Sequence, residues 1–332
     1  MEIRILTQDD IKEVMPMKEA IEADKEALKM YSEGSANIPL RANLDVPEHE
    51  GQSLYMYGYA PKANALGVKI VSVYPKNIEK GLNSVPATMV NLDAETGQVS
   101  TLMDGTYLTR LRTGAIAGAA TDVLARKDSK IFALFGTGGQ AETQLEAVLN
   151  VRDIELVKVF DISKERAQAF VDKMTERFKG VFNARLVVAA SSNEAIQDAD
   201  IITSVTTARV ATFDGTLVKP GCHINGVGSY TPEMAEINEY TVTHANRVYV
   251  DTRDGALKEC GSLLQPIQKG IYHEDQVSGE LGEVLLGKVD GRKNDQEVTL
   301  FITTGSAVLD LVCSQKIQEK AAEQNKGTII EL

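Results

Sequence analysis

The second half of the chain alternates short apolar runs with amphipathic segments of helical period. The apolar runs predict strands at 130–135, 156–160, 186–190, 200–205, 223–227 and 247–250. Helical periodicity predicts helices at 140–150, 163–178 and 192–199, with Ser163 and Ser192 as N-caps. Strands that alternate with helices favour a parallel sheet covered by helices, the doubly wound α/β arrangement.

The first part of the chain has a different pattern. Thr7 is placed to cap a short helix, and a second helix is predicted at 17–33, followed by extended segments at 54–57, 68–73, 87–92 and 98–103. The last two are joined by a turn containing Gly97, which predicts an antiparallel hairpin. The segment 109–124 is rich in Ala and Gly, which fits either the close approach of a ligand or tight helix packing. A last helix at 309–324 is expected to return to this first, α+β domain.

A glycine-rich turn follows the first strand of the doubly wound half. Gly136, Thr137, Gly138, Gly139, Gln140 and Ala141 form the pattern GxGxxA between a strand and a helix. The first glycine permits a tight turn, the second lets a pyrophosphate approach the backbone, and the small third residue lets the helix pack on the strand. The helix N-terminus adds free N–H groups and a positive dipole end. We therefore predict a Rossmann-type dinucleotide site.

The second strand supplies the acidic residue that such a site requires. Asp161 ends that strand about 20 residues after the glycine motif, where a carboxylate accepts hydrogen bonds from the ribose hydroxyls. Its charge would repel a 2′-phosphate, which favours NAD(H) over NADP(H), although the nearby Lys164 and Arg166 could soften that preference. Thr206 and Gly228 are further predicted cofactor-binding residues.

Composition and charge narrow the class of partner. The 332 residues include 35 Lys and Arg against 47 Asp and Glu, a formal net charge of −12. An acidic chain without a basic tract argues against nucleic acid or an anionic membrane surface. The three separated cysteines, the charged N-terminus and the absence of a long apolar run predict a cytoplasmic protein with reduced thiols. The isolated histidines offer no metal-ligand spacing.

Cationic side chains precede the nucleotide domain. Arg41, Lys69 and Arg112 could bind a carboxylate, since Arg and Lys supply charge-assisted hydrogen bonds. Lys69 lies between Val68 and Ile70 on an apolar strand, so spacing alone leaves it facing either solvent or a ligand. Arg110 is two residues from Arg112 and points elsewhere on a helix.

At these residues the chain resembles the ornithine cyclodeaminase/mu-crystallin family over essentially its whole length. The ordered matching segments are 68–69, 74–77, 108–115, 135–141, 223–228 and 304–310. The resemblance implies a nucleotide domain at 126–303 and a substrate-binding and dimerisation domain formed by 1–125 and 304–332. It implies that Arg41, Lys69 and Arg112 hold a substrate carboxylate and that Ser84 contacts substrate. Asp310 matches a family position near the site without an assigned role. A homodimer is likewise implied by the family alone.

One segment departs from the cyclodeaminases of this family. They carry Gly-Gly-Asp-x-Pro-Gly-Lys after the strand at 223–227, and that Asp is their key acid/base; here Tyr230 takes its place and Glu-Met replaces Gly-Lys. Expelling ammonia and closing a ring requires such a base, whereas hydride transfer to a preformed cyclic imine requires mainly positioning. Tyr230 and Thr231 could hydrogen-bond substrate or relay a proton, or could simply pack in the turn.

The resemblance and this departure favour NAD(P)H-dependent reduction of 1-pyrroline-2-carboxylate or 1-piperideine-2-carboxylate. The catalytic and substrate-binding candidates are Lys69, Arg112, Tyr230 and Thr231, with Arg41 and Ser84. An ornithine cyclodeaminase, an NAD-dependent alanine dehydrogenase and a mu-crystallin-like binding protein without enzymatic activity remain the alternatives. A pure binder is disfavoured, because a neutral ligand would leave the cations unpaired.

Overall fold

The structure, a computed structural model, describes residues 1–332 as two compact units. Unit 1 is Met1–Arg112 with Ser306–Leu332, and unit 2 is Thr113–Gly305. The first boundary therefore lies within a helix and before the predicted boundary at residue 126, whereas the second lies close to the predicted one at 303.

The N-terminal part of unit 1 contains six strands and two helices, and a third helix continues into unit 2. In chain order they are β1 (Glu2–Leu6), α1 (Gln8–Val14), α2 (Met17–Ser32), β2 (Ala42–Val46), β3 (Gly51–Ala60), β4 (Ala65–Val73), β5 (Ala87–Leu92), β6 (Val99–Asp104) and α3 (Gly105–Leu124). Helix α1 begins as predicted, because Thr7 and Asp10 form a reciprocal capping box.

Unit 2 continues with short strands separated by helices or loops. They are β7 (Ile131–Phe135), α4 (Ala141–Val151), β8 (Leu156–Phe160), α5 (Lys164–Arg177), β9 (Arg185–Val188), α6 (Ser192–Ile196), β10 (Ile201–Ser204), β11 (His223–Gly226), α7 (Glu239–His244), β12 (Arg247–Val250), α8 (Arg253–Glu259), α9 (Gly261–Gln268), β13 (Gly279–Glu280), α10 (Leu281–Leu285) and β14 (Thr299–Ile302). The chain then returns to unit 1 as α11 (Ala307–Glu323) and β15 (Thr328–Glu331).

The sheet of unit 2 confirms the doubly wound prediction. Its eight strands run in the order β13-β12-β14-β11-β10-β7-β8-β9, and every pairing is parallel. The chain moves outward in opposite directions from β7 and β10, so their carboxyl ends form the switch point at which such sheets bind ligands. The sequence prediction missed β14, because a four-residue apolar run carries no periodicity that distinguishes it from a loop. It also placed one cap a residue late, since Ser191 and not Ser192 caps α6.

Unit 1 contains a seven-stranded sheet in the order β15-β1-β6-β5-β4-β3-β2. All its pairings are antiparallel except that of β1 with β6, and the predicted hairpin is the pair β5–β6. Helix α11 packs against α2, β3 and β4, as expected for a C-terminal helix that belongs to the first domain. Alternation along β4 then turns Lys69 to the buried face and Ile70 to the opposite face.

The small residues of α3 within unit 2 serve helix packing. A Cβ added at Gly114 would lie 2.5 Å from the carbonyl oxygen of Thr143 in α4, and Gln144 Nε2 donates a hydrogen bond of 2.8 Å to the Thr113 carbonyl. Ala115, Ala119 and Ala120 are fully buried. No helix of the chain combines the length and apolar character that a bilayer span needs.

Candidate functional site

The glycine-rich turn has the shape that a pyrophosphate requires. Gly136 has a φ of 93°, a left-handed value that favours glycine, and its N–H donates a 2.9 Å hydrogen bond to the carbonyl of Phe160 at the end of β8. The position of a Cβ at Gly138 faces open space, and Ala141 is fully buried at the start of α4. Each of the three small residues therefore occupies the environment that its motif position requires.

The amino end of α4 is available to an anion. Gln140 occupies the N-cap position of this 11-residue helix and makes no side-chain capping hydrogen bond. Backbone N–H groups at such an end bind phosphate, and the helix dipole adds a partial positive charge. Together with the open approach at Gly138, this end of α4 fits the diphosphate of a nicotinamide dinucleotide.

Asp161 is held rigidly beside the glycine turn. Its Oδ2 accepts hydrogen bonds from Thr137 N at 3.1 Å and Thr137 Oγ1 at 2.7 Å, and its Oδ1 accepts from Ser163 N and Arg166 Nη2. Burial works to raise the pKa of this carboxyl, but the hydrogen bonds and the charge of Arg166 hold it below its usual value. The sequence predicted Asp161 and Thr137 as separate cofactor-binding residues, and in the structure the two are hydrogen-bonded to each other.

The remaining predicted residues of unit 2 lie on loops at the same edge of the sheet. Thr206 follows β10, and Gly228, Tyr230 and Thr231 follow β11, so all four lie at the carboxyl ends of strands. Tyr230 and Thr231 are half-buried, and the Thr231 carbonyl accepts hydrogen bonds from Met234 N and Gly261 N. The backbone of Thr231 is thus fixed, and its side chain remains a candidate for substrate contact.

Unit 1 buries two cations around one carboxylate. Lys69 Nζ donates to Asp310 Oδ1 at 2.7 Å, and Arg112 Nε donates to the same oxygen at 2.9 Å. The side chains of Lys69 and Asp310 are fully buried, and that of Arg112 is 7% exposed. Asp310 Oδ2 accepts no hydrogen bond. The solvent-facing alternative for Lys69 is therefore wrong, because strand register turns it inward.

Asp310 is the residue whose role sequence reasoning missed. It lies one turn into α11, 241 positions from Lys69, so no local spacing connects the two. The only available signal was an acidic residue on an apolar helix face, together with its matching family position. The structure shows that Asp310 accepts hydrogen bonds from both basic side chains and so fixes them.

Arg41 and Ser84 are placed less directly. Arg41 is half-buried and close enough to Lys69 for its charge to contribute to lowering the lysine pKa. Ser84 lies on the loop before β5, where its carbonyl accepts a hydrogen bond from Tyr74 N. No hydrogen bond joins the Ser84 hydroxyl to Lys69, Arg112 or Asp310, so its role in substrate binding stays a prediction.

A second carboxyl, that of Asp24, lies near the cations. Asp24 on α2 is fully buried, and neither of its carboxyl oxygens has a hydrogen-bond partner. Burial raises its pKa well above the usual value, although the charge of Arg112 opposes this. Three basic side chains, Lys69, Arg112 and Arg41, therefore lie near the single ion-paired carboxylate of Asp310. The cluster therefore favours an anionic ligand.

Several other titratable residues are buried in the interior of the two units. The two ring nitrogens of His223 lie within hydrogen-bond distance of Thr299 Oγ1 and Asn225 Oδ1, and burial lowers its pKa to about 3. Cys222, Cys260 and Cys313 are buried free thiols. No group of three or more His, Cys, Asp or Glu side chains is arranged to hold a metal ion.

The fold and the glycine turn define a dinucleotide-binding α/β protein, and comparison with known proteins adds the family. Residues 1–325 match the sequence pattern of the ornithine cyclodeaminase/mu-crystallin family, and the chain belongs to that family. A delta(1)-pyrroline-2-carboxylate reductase of Bacillus cereus is 37% identical over 327 residues, which cover 98% of this chain and 99% of the relative.

Solved structures resemble both the fold and the sequence. The delta(1)-pyrroline-2-carboxylate reductase of Thermococcus litoralis, in complex with NADH and L-proline, aligns with a TM-score of 0.93 and 38% identity over 98% of this chain and 99% of that one. An archaeal alanine dehydrogenase dimer with bound NAD aligns with a TM-score of 0.91 and 33% identity over the whole of both chains.

The burial of Lys69 gives a pH-dependent stability that can be measured. Burial and the charge of Arg112 lower the pKa of Lys69 from 10.5 to about 7, although Asp310 opposes the shift. Between these values the unfolded chain binds a proton that the folded chain does not, so wild-type stability should rise with pH relative to Lys69→Met. The difference in free energy of unfolding should grow by about 1.4 kcal/mol per pH unit between pH 7.5 and 9.5.

Urea unfolding of both proteins at several pH values measures this difference. The common titrations of the rest of the chain cancel when the two curves are subtracted. A difference that stays constant across the window would mean that Lys69 keeps its proton in the folded protein.

Proposed function

We propose that this protein reduces a cyclic α-imino acid, 1-pyrroline-2-carboxylate or 1-piperideine-2-carboxylate, to L-proline or L-pipecolate with NADH. The observation that carries the proposal is the buried cationic cluster of unit 1, in a chain whose unit 2 fits a nicotinamide dinucleotide. Full-length similarity to delta(1)-pyrroline-2-carboxylate reductases supports the choice of substrate.

The cationic cluster suits one small carboxylate. Lys69 and Arg112 share the single oxygen Oδ1 of Asp310, so hydrogen-bonding capacity of the Arg112 guanidinium remains for a second anion. These basic side chains suit the monoanionic carboxylate of an imino acid. Burial strengthens this attraction, because water screens it poorly there. Arg112 and Lys69 accordingly bind and orient the substrate, and Arg41 adds to the attraction.

Reduction of a preformed cyclic imine requires the side chains mainly to orient the substrate. A bound reduced dinucleotide would supply the hydride for C2 of the protonated imine, which would make the C=N double bond a single bond and restore the nitrogen lone pair. That nitrogen then takes a proton from water. No ammonia leaves and no ring closes, so the reaction has no need of the carboxylate base that Tyr230 replaces. Tyr230 and Thr231, at the carboxyl edge of the sheet of unit 2, stay the catalytic candidates of that unit.

The main competing activity is oxidative deamination of L-alanine. It is favoured by the 33% identity to an archaeal alanine dehydrogenase over the whole chain. That reaction must deprotonate an ammonium group and add water, which calls for an acid/base group at the site. Tyr230 in place of the acidic residue weighs against it, and the same argument weighs against ornithine cyclodeamination.

Parallel assays on the purified protein separate these activities. We expect fast oxidation of NADH with 1-pyrroline-2-carboxylate, slower oxidation of NADPH because Asp161 repels a 2′-phosphate, and no ammonia from L-ornithine or L-alanine with NAD⁺. Oxidation of NADH in the reductive assays and reduction of NAD⁺ in the oxidative assays are followed at the absorbance of the reduced cofactor, and ammonia is assayed separately. Rapid ammonia release without imine reduction would overturn the proposed function.

Variants of the cationic cluster test the substrate-binding residues. Lys69→Ala and Arg112→Ala should each raise KM for the imino acid and lower kcat/KM by about 10²-fold or more, since loss of a desolvated ionic contact costs about 2–5 kcal/mol. Arg110→Ala is the matched control, because Arg110 lies two residues away on α3 and outside the cluster. Thermal unfolding of each variant separates lost binding from lost stability.

Wild-type kinetics in Lys69→Ala and Arg112→Ala would contradict this assignment. An increase in KM for NADH with unchanged KM for the imino acid would do so as well.

We further propose that the protein is a homodimer, formed through the sheet face of unit 1 that α11 leaves uncovered. On this face Tyr55 pairs with Ile70 and Tyr57 with Val68, and Leu44 lies on the adjacent β2. Leu44, Tyr55, Tyr57 and Ile70 are between 37% and 58% exposed, an unusual concentration of large apolar side chains. A second copy is the proposed occupant, since the similar archaeal alanine dehydrogenase is a dimer.

Charge on this face should dissociate the dimer. Tyr57→Glu combined with Ile70→Glu should convert a dimer into a monomer in light scattering at micromolar concentration, because association would desolvate two carboxylates. Ile78→Glu is the control, an apolar residue 70% exposed on the 3-10 helix Pro75–Lys80. A monomeric wild type, or a double variant that stays dimeric, would refute this interface.

The proposed compartment is the cytoplasm, where the three free buried thiols would stay reduced.

A further inference from the structure

A buried carboxylate links two loops at the ligand-binding edge of unit 2. Glu236 lies between β11 and α7 and is fully buried. Its Oε2 accepts hydrogen bonds from Ser204 Oγ at 2.8 Å, Thr206 N at 2.8 Å and Thr206 Oγ1 at 3.1 Å, and its Oε1 accepts from Gly228 N. None of the ion pairs in the chain involves Glu236, so these four donors alone offset its desolvation.

The two linked loops occupy equivalent positions on neighbouring strands. Ser204 and Gly226 are paired in register on β10 and β11, so Thr206 and Gly228 each lie two residues beyond a strand end. Strand β10 flanks the switch point, where a doubly wound sheet binds its dinucleotide. Glu236 thus fixes the spacing between the loop after β10 and the loop after β11.

The loop after β10 also contacts the glycine turn. A Cβ at Gly136 would lie 2.8 Å from the Val205 carbonyl oxygen and 2.9 Å from Thr206 Cγ2. A Cβ at Gly228 would lie 1.9 Å from the Thr206 carbonyl oxygen. Thr206 is therefore packed between the loops after β7 and β11, and a shift of Thr206 would move it into the glycine turn.

A carboxylate is the group that this environment requires. Four donors point at it, and two of them are backbone N–H groups that cannot reverse direction. Glutamine has nearly the same shape, but its amide nitrogen is a donor and would face either Gly228 N or Thr206 N. The Glu236→Gln substitution therefore breaks the link while it preserves volume.

We propose that Glu236 is a positioning residue for the dinucleotide, which sets NADH affinity by holding the loops after β7, β10 and β11 together. It acts through Thr206 and Gly228 and touches neither substrate nor cofactor. The proposal rests on the cofactor-binding part of the proposed function. It does not depend on the carboxylate-binding cluster of unit 1.

Glu236→Gln should raise the dissociation constant of NADH, measured by fluorescence titration, about tenfold. KM for NADH should rise in parallel, and KM for the imino acid at saturating NADH should change less than KM for NADH. The binding titration needs no turnover, so it tests Glu236 even if imine reduction is not found.

Asp200→Asn is the matched control. Asp200 is also a buried carboxylate of unit 2, and its Oδ2 accepts from Lys130 N and Ile131 N at 2.8 and 2.9 Å, but it lies at the opposite, amino-terminal edge of the sheet. This variant should lower the midpoint of thermal unfolding and leave the NADH dissociation constant within about twofold of wild type, because its loops do not border the cofactor.

Ser204→Ala is a milder substitution that can be tested even if Glu236→Gln does not fold. It removes one of the four donors and should raise the NADH dissociation constant about threefold. If Ser204→Ala and any folded Glu236→Gln lower thermal stability but bind NADH like wild type, Glu236 is a structural residue and the proposal is overturned.

Discussion

The burial of two cations around Asp310 is the constraint on which unit 1 depends. A buried Lys or Arg is costly without a partner, and the partner here comes from the C-terminal helix, far along the chain from Lys69. The return of α11 to the first sheet is therefore an electrostatic requirement as well as a packing one. The same arrangement places both basic side chains on one oxygen of Asp310, which leaves hydrogen-bonding capacity of the Arg112 guanidinium for a second anion.

Unit 2 depends on the close approach of loops rather than on buried cations. Gly136 and Gly228 lack side chains where the loops after β7, β10 and β11 approach most closely. Two carboxylates organise this edge by accepting hydrogen bonds from those loops. Asp161 is bonded to Thr137 in the glycine turn, and Glu236 joins Thr206 to Gly228. The proposed dinucleotide site is thus a set of backbone positions that a few acceptor side chains hold in place.

The two units together suit a reaction with few proton transfers. A cationic cluster that orients a carboxylate and a dinucleotide that delivers a hydride are sufficient for reducing a preformed imine, whereas expelling or adding ammonia needs a further acid/base group. Tyr230 stands where such a group occurs in the cyclodeaminases. The similarity to pyrroline-2-carboxylate reductases over the whole chain agrees with this chemistry.

The doubly wound sheet, the glycine turn, the position of Asp161 and the family could all be predicted from the sequence, because each rests on a local period or a short motif. It identified Lys69 and Arg112 as residues but left the direction of Lys69 open on spacing alone, and it gave Asp310 and Glu236 no role. These features followed from the fold, because strand register sets which face Lys69 occupies and because the partners of Asp310 and most of those of Glu236 lie 30 or more positions away. A buried charge is defined by what surrounds it, and that information is absent from any short segment of the chain.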